Sequence, residues 1–308
     1  MRSSAIPTCR TSRSVGFTAR SVDAACSSFI FRQEVTMKFA QSSFVYFNYS
    51  LQDAIRRLAQ FGYAGIEIWG GRPHMYRRDL DDQIDALTRL LAQNNLTVCN
   101  FIPAQFRYPS ILCSLNEVVR RDSVAYIRSA MDNAMRVGAP SVSVCPGMTL
   151  RGESGEQGWA QLRRSLLQVL EYAEKKNLRV LIEPAHMWET TLIRTVDEAL
   201  RMIAEIRSPR LGVLFDTGHA HVNGEDLADA VRKLKNVPLH IHIDDNDGAS
   251  DSHHIPGAGK MDYAPFVRAL NEIGYAGFVS AELGFQYTRE PDAAVQQSLV
   301  ALRALFAQ

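Results

Sequence analysis

The chain has 308 residues, of which 46% are hydrophobic and 22% charged, the ordinary composition of a globular protein with room for one large core. Its 34 Lys and Arg balance 33 Asp and Glu, so no excess charge draws it to a phosphate backbone or an anionic membrane surface; neither nucleic acid nor membrane is an expected partner, and a small molecule fits better. No apolar run approaches the roughly 18 residues that span a bilayer, and the five cysteines are odd in number with no CxxC pair, so reduced thiols in a cytoplasmic protein are expected.

Residues 1–36 are rich in Ser and Arg and carry little amphipathic order, whereas "MKFAQSSFVYF" from Met37 begins at once with a strand-like run. A targeting segment, a disordered tail and a start codon placed upstream of the true one all account for this stretch, and in each case the fold is expected over residues 37–308. From there, apolar and β-branched runs recur at about 38–44, 65–69, 97–102, 140–145, 178–183, 211–216, 238–243 and 277–282. Between them lie patterns such as "LDDQIDALTRLLAQNN" and "WAQLRRSLLQVLEYAEKK", with apolar residues at the i, i+3, i+4, i+7 spacing of a helix. Short buried strands alternating with amphipathic helices imply a parallel sheet covered on both faces. Eight such units imply a closed α/β barrel, the single-domain (β/α)8 TIM barrel. The alternative, an open doubly wound sheet, lacks a GxGxxG turn after its first strand.

In such barrels the active site lies at the C-terminal ends of the strands. Those ends are acidic here: Glu183 closes "LRVLIE", Asp216 closes "LGVLFD", His242 stands in "PLHIHI" and Glu282 closes "GFVSAE". Any one alone reads as a helix cap or a hydrogen-bonded core histidine. Four titratable groups at one rim would repel or lie unpaired without a cation. Two Glu, one Asp and one His form an oxygen-rich set suited to one divalent ion, Mn²⁺, Co²⁺ or Mg²⁺, better than to a structural zinc. In "IWGGRPH", Trp69, Arg72 and His74 are candidates to line the pocket, against a reading in which Gly70 and Gly71 merely make the turn.

The run "IEP", "FDTGH", "HIHIDDNDGASDSHHIPGAGKMD" and "SAELG" resembles the sugar isomerase and epimerase superfamily, which shares its barrel with xylose isomerase and endonuclease IV; the likeness spans Met37 to Gln308. Within it, "GYAGIEIWGGRPHMY" and "DGASDSHHIPGAGKM" are most similar to the fructoselysine 3-epimerases and the tagatose-type ketose 3-epimerases. The resemblance implies an epimerase or isomerase that moves a proton at the carbon beside a carbonyl, in a homo-oligomer. It implies that Glu183, Asp216, His242 and Glu282 hold the metal, that Glu183 and Glu282 are also the acid and base, and that Glu189 and His219 contact substrate hydroxyls. An arginine that follows the histidine ligand in that branch has no clear counterpart; "DDNDGASDSHH" occupies its place, where Asp251 and His253 either touch substrate or brace the loop over it. His219 departs from the fructoselysine pattern, which leaves a free ketose open as substrate.

Three rivals stand beside this reading. A lyase of the same barrel, such as an inosose dehydratase, would use the same enediolate and expel a hydroxyl. A sugar-binding paralogue would not turn over, against which Glu183 and Glu282 argue. An endonuclease IV-like phosphodiesterase would match Asp251 and His253, but it also needs histidines after strands two and four. "NFIPAQF" and "VCPGM", read as the matching regions, hold none.

Overall fold

A computed structural model of the chain describes residues 37–105 and 109–307; the segment 1–36, expected to stand apart from the fold, lies outside the described residues. Eight strands, β1 (Lys38–Ser42), β2 (Gly65–Gly70), β3 (Thr97–Pro103), β4 (Ser141–Val144), β5 (Arg179–Ile182), β6 (Leu211–Asp216), β7 (Leu239–Ile243) and β8 (Phe278–Ala281), pair in chain order into a closed barrel. All neighbours are parallel, and β1 meets β8 from Lys38 opposite Phe278 to Gln41 opposite Ala281. The open-sheet alternative is thereby set aside.

The helices are α1 (Leu51–Phe61), α2 (Ile84–Gln93), α3 (Glu117–Arg136), α4 (Gly155–Lys175), α5 (Val196–Ile206), α6 (Thr217–Val222), α7 (Leu227–Lys233), α8 (Tyr263–Ile273) and α9 (Pro291–Phe306). Helix α1 shows how sequence makes them. Ser50 caps its start by accepting the Asp53 amide, Leu51, Ala54, Ile55 and Leu58 form the buried stripe, and Gly62, at φ 92°, ends it in the left-handed region. Each large aliphatic side chain so buried contributes about 1.5–3 kcal/mol, and a Ser50→Ala change would remove about 1 kcal/mol of capping. The matching faces of the strands, Ile66, Ile68, Val142, Val144, Val180, Ile182, Val213, Ile241, Ile243 and Val279, join the same core.

The barrel interior, by contrast, is polar. Hydrogen bonds run from Asn100 on β3 to Glu67 on β2 and to Ser143 on β4, and Glu67 meets His242 on β7 and Ser280 on β8. Strands two and seven are not neighbours, so Glu67 and His242 meet only across the axis. One irregularity serves this layer. Ile66 is opposite Val98 but Glu67 is opposite Asn100, so Cys99 is an extra residue in β3 and the bulge turns Asn100 toward Glu67.

Strand ends differ from expectation by one or two residues. β1 stops at Ser42, whose hydroxyl accepts the Phe44 amide and starts a 3-10 turn over Ser43–Tyr46. β5 and β8 end one residue before Glu183 and Glu282, yet both amides still bond the neighbouring strand, Glu183 N–H to Val144 O at 3.1 Å and Glu282 N–H to Ile243 O at 3.3 Å. Among the described residues no helix is long and apolar enough to cross a membrane.

Candidate metal and substrate site

One ligand atom from each of Glu183, Asp216, His242 and Glu282 lies within 4.8 Å of the others at the C-terminal rim. His242 Nδ1 is 2.9 Å from Glu282 Oε2, 3.5 Å from Asp216 Oδ2 and 3.6 Å from Glu183 Oε1. The helix-capping reading of Asp216 is half of its role. Its Oδ1 accepts the His219 amide at 2.8 Å and starts α6, while Oδ2 is buried without a hydrogen bond, on the side of His242.

Without a cation the site is electrostatically tense. Burial holds the Glu183 carboxyl above its ordinary range despite His242 beside it. Burial would raise Asp216 as well, but His219 and His242 outweigh it and hold that carboxyl low. For His242 burial opposes the charged ring, yet Glu67 and Glu282 outweigh it and hold the imidazolium well above its usual value. Three carboxylate oxygens and one imidazole nitrogen, with two of the four donor atoms buried and unbonded, can hold one divalent metal ion.

A second group lies next to it. Asp251 Oδ2 is 2.9 Å from His253 Nε2, 3.3 Å from His186 Nε2 and 3.4 Å from His219 Nδ1, and His219 Nε2 is 3.8 Å from Glu189 Oε2. Burial pushes the His219 ring down, but Asp216, Asp251 and Glu189 overcome it and lift the ring to about 9. His253 pairs through Nδ1 with Asp244 and sits at φ 43°, a left-handed conformation uncommon outside glycine. Gly218 makes the crowding possible: a Cβ there would stand 2.3 Å from Asp244 Oδ1 and 2.8 Å from Asp251 Oδ1. So Glu189, His219, Asp251 and His253 come together beside the four-residue set, and two triads here, His186 with His219 and Asp251 and Asp216 with Asp244 and His253, also bring ligand atoms within 4.8 Å of one another.

The three candidates at the end of β2 are placed differently. Trp69 packs edge-on to Phe44 at 5.3 Å, and Phe285 packs against Phe44 at 4.8 Å and Phe47 at 5.7 Å, forming an aromatic wall. Arg72 binds Asp79 and covers the Tyr76 ring. His74 is buried, with Nδ1 3.0 Å from Ser43 Oγ, which accepts the Trp69 amide; burial pushes its ring down to about 4. One detail of the nuclease comparison needs correction. "NFIPAQF" begins within β3 and does not lie after β2, and the segment after β2 does carry a histidine, His74, but it is engaged with Ser43 and is in none of the groups that could hold a metal.

The sequence reading missed four residues. Glu67 lies behind His242, with Oε2 2.6 Å from His242 Nε2; His186 and Asp244 belong to the second group; Cys145 Sγ donates a long contact to Glu183 Oε2 at 3.9 Å. The signal for Glu67 was available: an acid amid the apolar run "GIEIW" raises the same question as Glu183.

Comparison with known proteins agrees with this architecture. The family model described as xylose isomerase-like TIM barrel matches residues 55–305. Fructoselysine 3-epimerase of Escherichia coli O157:H7 is 32% identical over 256 residues, covering 83% of this chain and 93% of that protein. A probable ketose 3-epimerase of a Synechocystis species is 26% identical over 243 residues, 76% of this chain and 77% of that one. Among solved structures, a D-tagatose 3-epimerase-like protein matches with a TM-score of 0.72 at 26% identity, over 87% of this chain and 100% of that one.

Proposed function

Since the chain belongs to the xylose isomerase-like TIM barrel family, we propose that it is a divalent-metal-dependent 3-epimerase of a ketose or ketosamine, with Mn²⁺, Co²⁺ or Mg²⁺ as the ion. The observation that carries this reading is the convergence of Glu183, Asp216, Glu282 and the Nδ1 of His242 within 4.8 Å. The 32% identity to a fructoselysine 3-epimerase supports the reaction class.

A hydrogen on the carbon beside a carbonyl does not leave at neutral pH unaided. An ion held by the four ligands would draw charge from the carbonyl and neighbouring hydroxyl oxygens and so acidify that hydrogen. The chain's residues supply the rest. Epimerisation removes the proton from one face of that carbon, leaving a planar enediolate, and returns a proton to the opposite face, which requires two bases. Glu183, after β5, and Glu282, after β8, approach from strands three apart around the barrel. Burial raises the Glu183 carboxyl and a bound cation would lower it, so Glu183 would act as a base through an oxygen left free of the ion. Glu189 and His219 are assigned to substrate hydroxyls, Asp251 and His253 to the same rim, and Trp69 with its aromatic neighbours, Arg72 and His74 to the wall and its support.

Among the described residues no histidine from the ends of β2 or β4 joins the carboxylate group, which weighs against the nuclease reading. The test is incubation of the metal-loaded protein with a panel of ketoses and ketosamines. An isomeric product of unchanged mass, abolished by EDTA, is expected. A product about 18 Da lighter would establish the dehydratase alternative, and no turnover of any panel member with intact metal binding would overturn the epimerase assignment.

A further inference from the structure

We propose that Glu67 is the positioning residue of the metal ligand His242, accepting its Nε2–H from across the barrel so that Nδ1 presents a lone pair to the metal; the proposal rests on the metal-site reading above. The contact is 2.6 Å long between side chains 175 positions apart, both fully buried. A neutral imidazole carries one proton on two nitrogens, and a carboxylate can only accept. A proton held on Nε2 therefore leaves Nδ1 open. Nδ1 is the nitrogen that faces Glu282, Asp216 and Glu183.

Glu67 is itself held in place. Its Oε1 accepts from Asn100 Nδ2 at 2.7 Å and its Oε2 from Ser280 Oγ at 3.3 Å, while Asn100 is fixed by Ser141 Oγ at 2.6 Å on its Oδ1. The bulge at Cys99 is part of the device. In an unbroken register Cys99, not Asn100, would stand opposite Glu67 and offer it no amide. Stability alone explains this poorly, since a buried ion pair is often no better than well-packed apolar side chains of the same volume. A carboxylate behind a metal-bound histidine, in contrast, fixes its tautomer and ring orientation and makes it a stronger donor.

The test is calorimetric titration of Mn²⁺ into the metal-stripped full chain and its Glu67→Gln and Glu67→Asp variants, each also melted in EDTA. Glu67→Gln is expected to bind Mn²⁺ about 10- to 100-fold more weakly at a temperature where its metal-free form is still folded, and, because it removes one partner of a buried ion pair, to melt lower in EDTA as well. Glu67→Asp, which keeps the carboxylate, is expected to recover part of the affinity. Equal Mn²⁺ affinity in wild type and Glu67→Gln would overturn the positioning role while leaving the metal site standing. Absence of Mn²⁺ uptake by the unmodified chain would overturn both. Should Glu67→Gln fail to fold, nitrogen NMR of the unmodified, Zn²⁺-loaded chain decides: a proton on His242 Nε2 supports the proposal, and a proton on Nδ1 overturns it.

Discussion

The two oxygens of Asp216 do different work, and substitutions separate them. Asp216→Asn keeps a carbonyl that can accept the His219 amide but removes a charged ligand, whereas Asp216→Ala removes both. Both variants should lose the divalent ion in calorimetric titration, and only the alanine should also lose about 1 kcal/mol of helix capping when melted in EDTA. Identical metal-free melting of the two would contradict the division. His74 tests the burial argument apart from any metal. Its folded value of about 4 lies below the 6.5 of an exposed ring, so between those limits the unfolded chain binds a proton that the folded chain does not. Stability should therefore fall as pH drops from 6.5 toward 4, by at most roughly 3 kcal/mol. Urea unfolding at pH 7 and pH 4.5 checks this, and His74→Gln should flatten the difference. At this scale the rim acids were legible because each ends an apolar run. Glu67 carried the same signal inside "GIEIW", but its role was not legible, because that lies in a partner 175 residues away and in a one-residue bulge that no local pattern announces.

At the scale of elements, the strands were legible because parallel strands buried on both faces read as continuous apolar runs. Their limits were less so: side-chain bonds such as Ser42 to the Phe44 amide, which stop β1 early, are not periodic. The long connection after β7 was the least legible of all. Much of its order comes from buried Asp245, whose Oδ1 accepts the amides of Asn246 at 2.8 Å and Met261 at 3.2 Å and whose Oδ2 accepts that of Gly257 at 2.9 Å, with buried Asn246 beside it bonded to His221 and Gly218. The Asp245 backbone also exchanges two hydrogen bonds with His254, at 2.9 and 2.7 Å. This loop carries Asp251 and His253 but none of the four proposed metal ligands. Asp245→Ala should accordingly raise KM about 10-fold or more, since each buried amide left without an acceptor costs about 1–3 kcal/mol, while Mn²⁺ affinity stays at the wild-type level. A matching loss of metal affinity would show that the loop and the metal site are one unit.

For the whole molecule, the account puts the active machinery within residues 37–308, since the sequence before Met37 carries no core-forming pattern. A chain beginning at Met37 should match the full chain in melting temperature and turnover, and a large loss in either would contradict this. The central claim is that Glu183 and Glu282 exchange a proton with the carbon beside the carbonyl. Turnover of the metal-loaded enzyme in D₂O tests it most directly, by mass and proton NMR of the product. If two carboxylates act, each exchanges with solvent between cycles, and the product should carry deuterium at the epimerised carbon. A product that retains all of its original hydrogen would contradict the two-carboxylate scheme and favour hydride transfer.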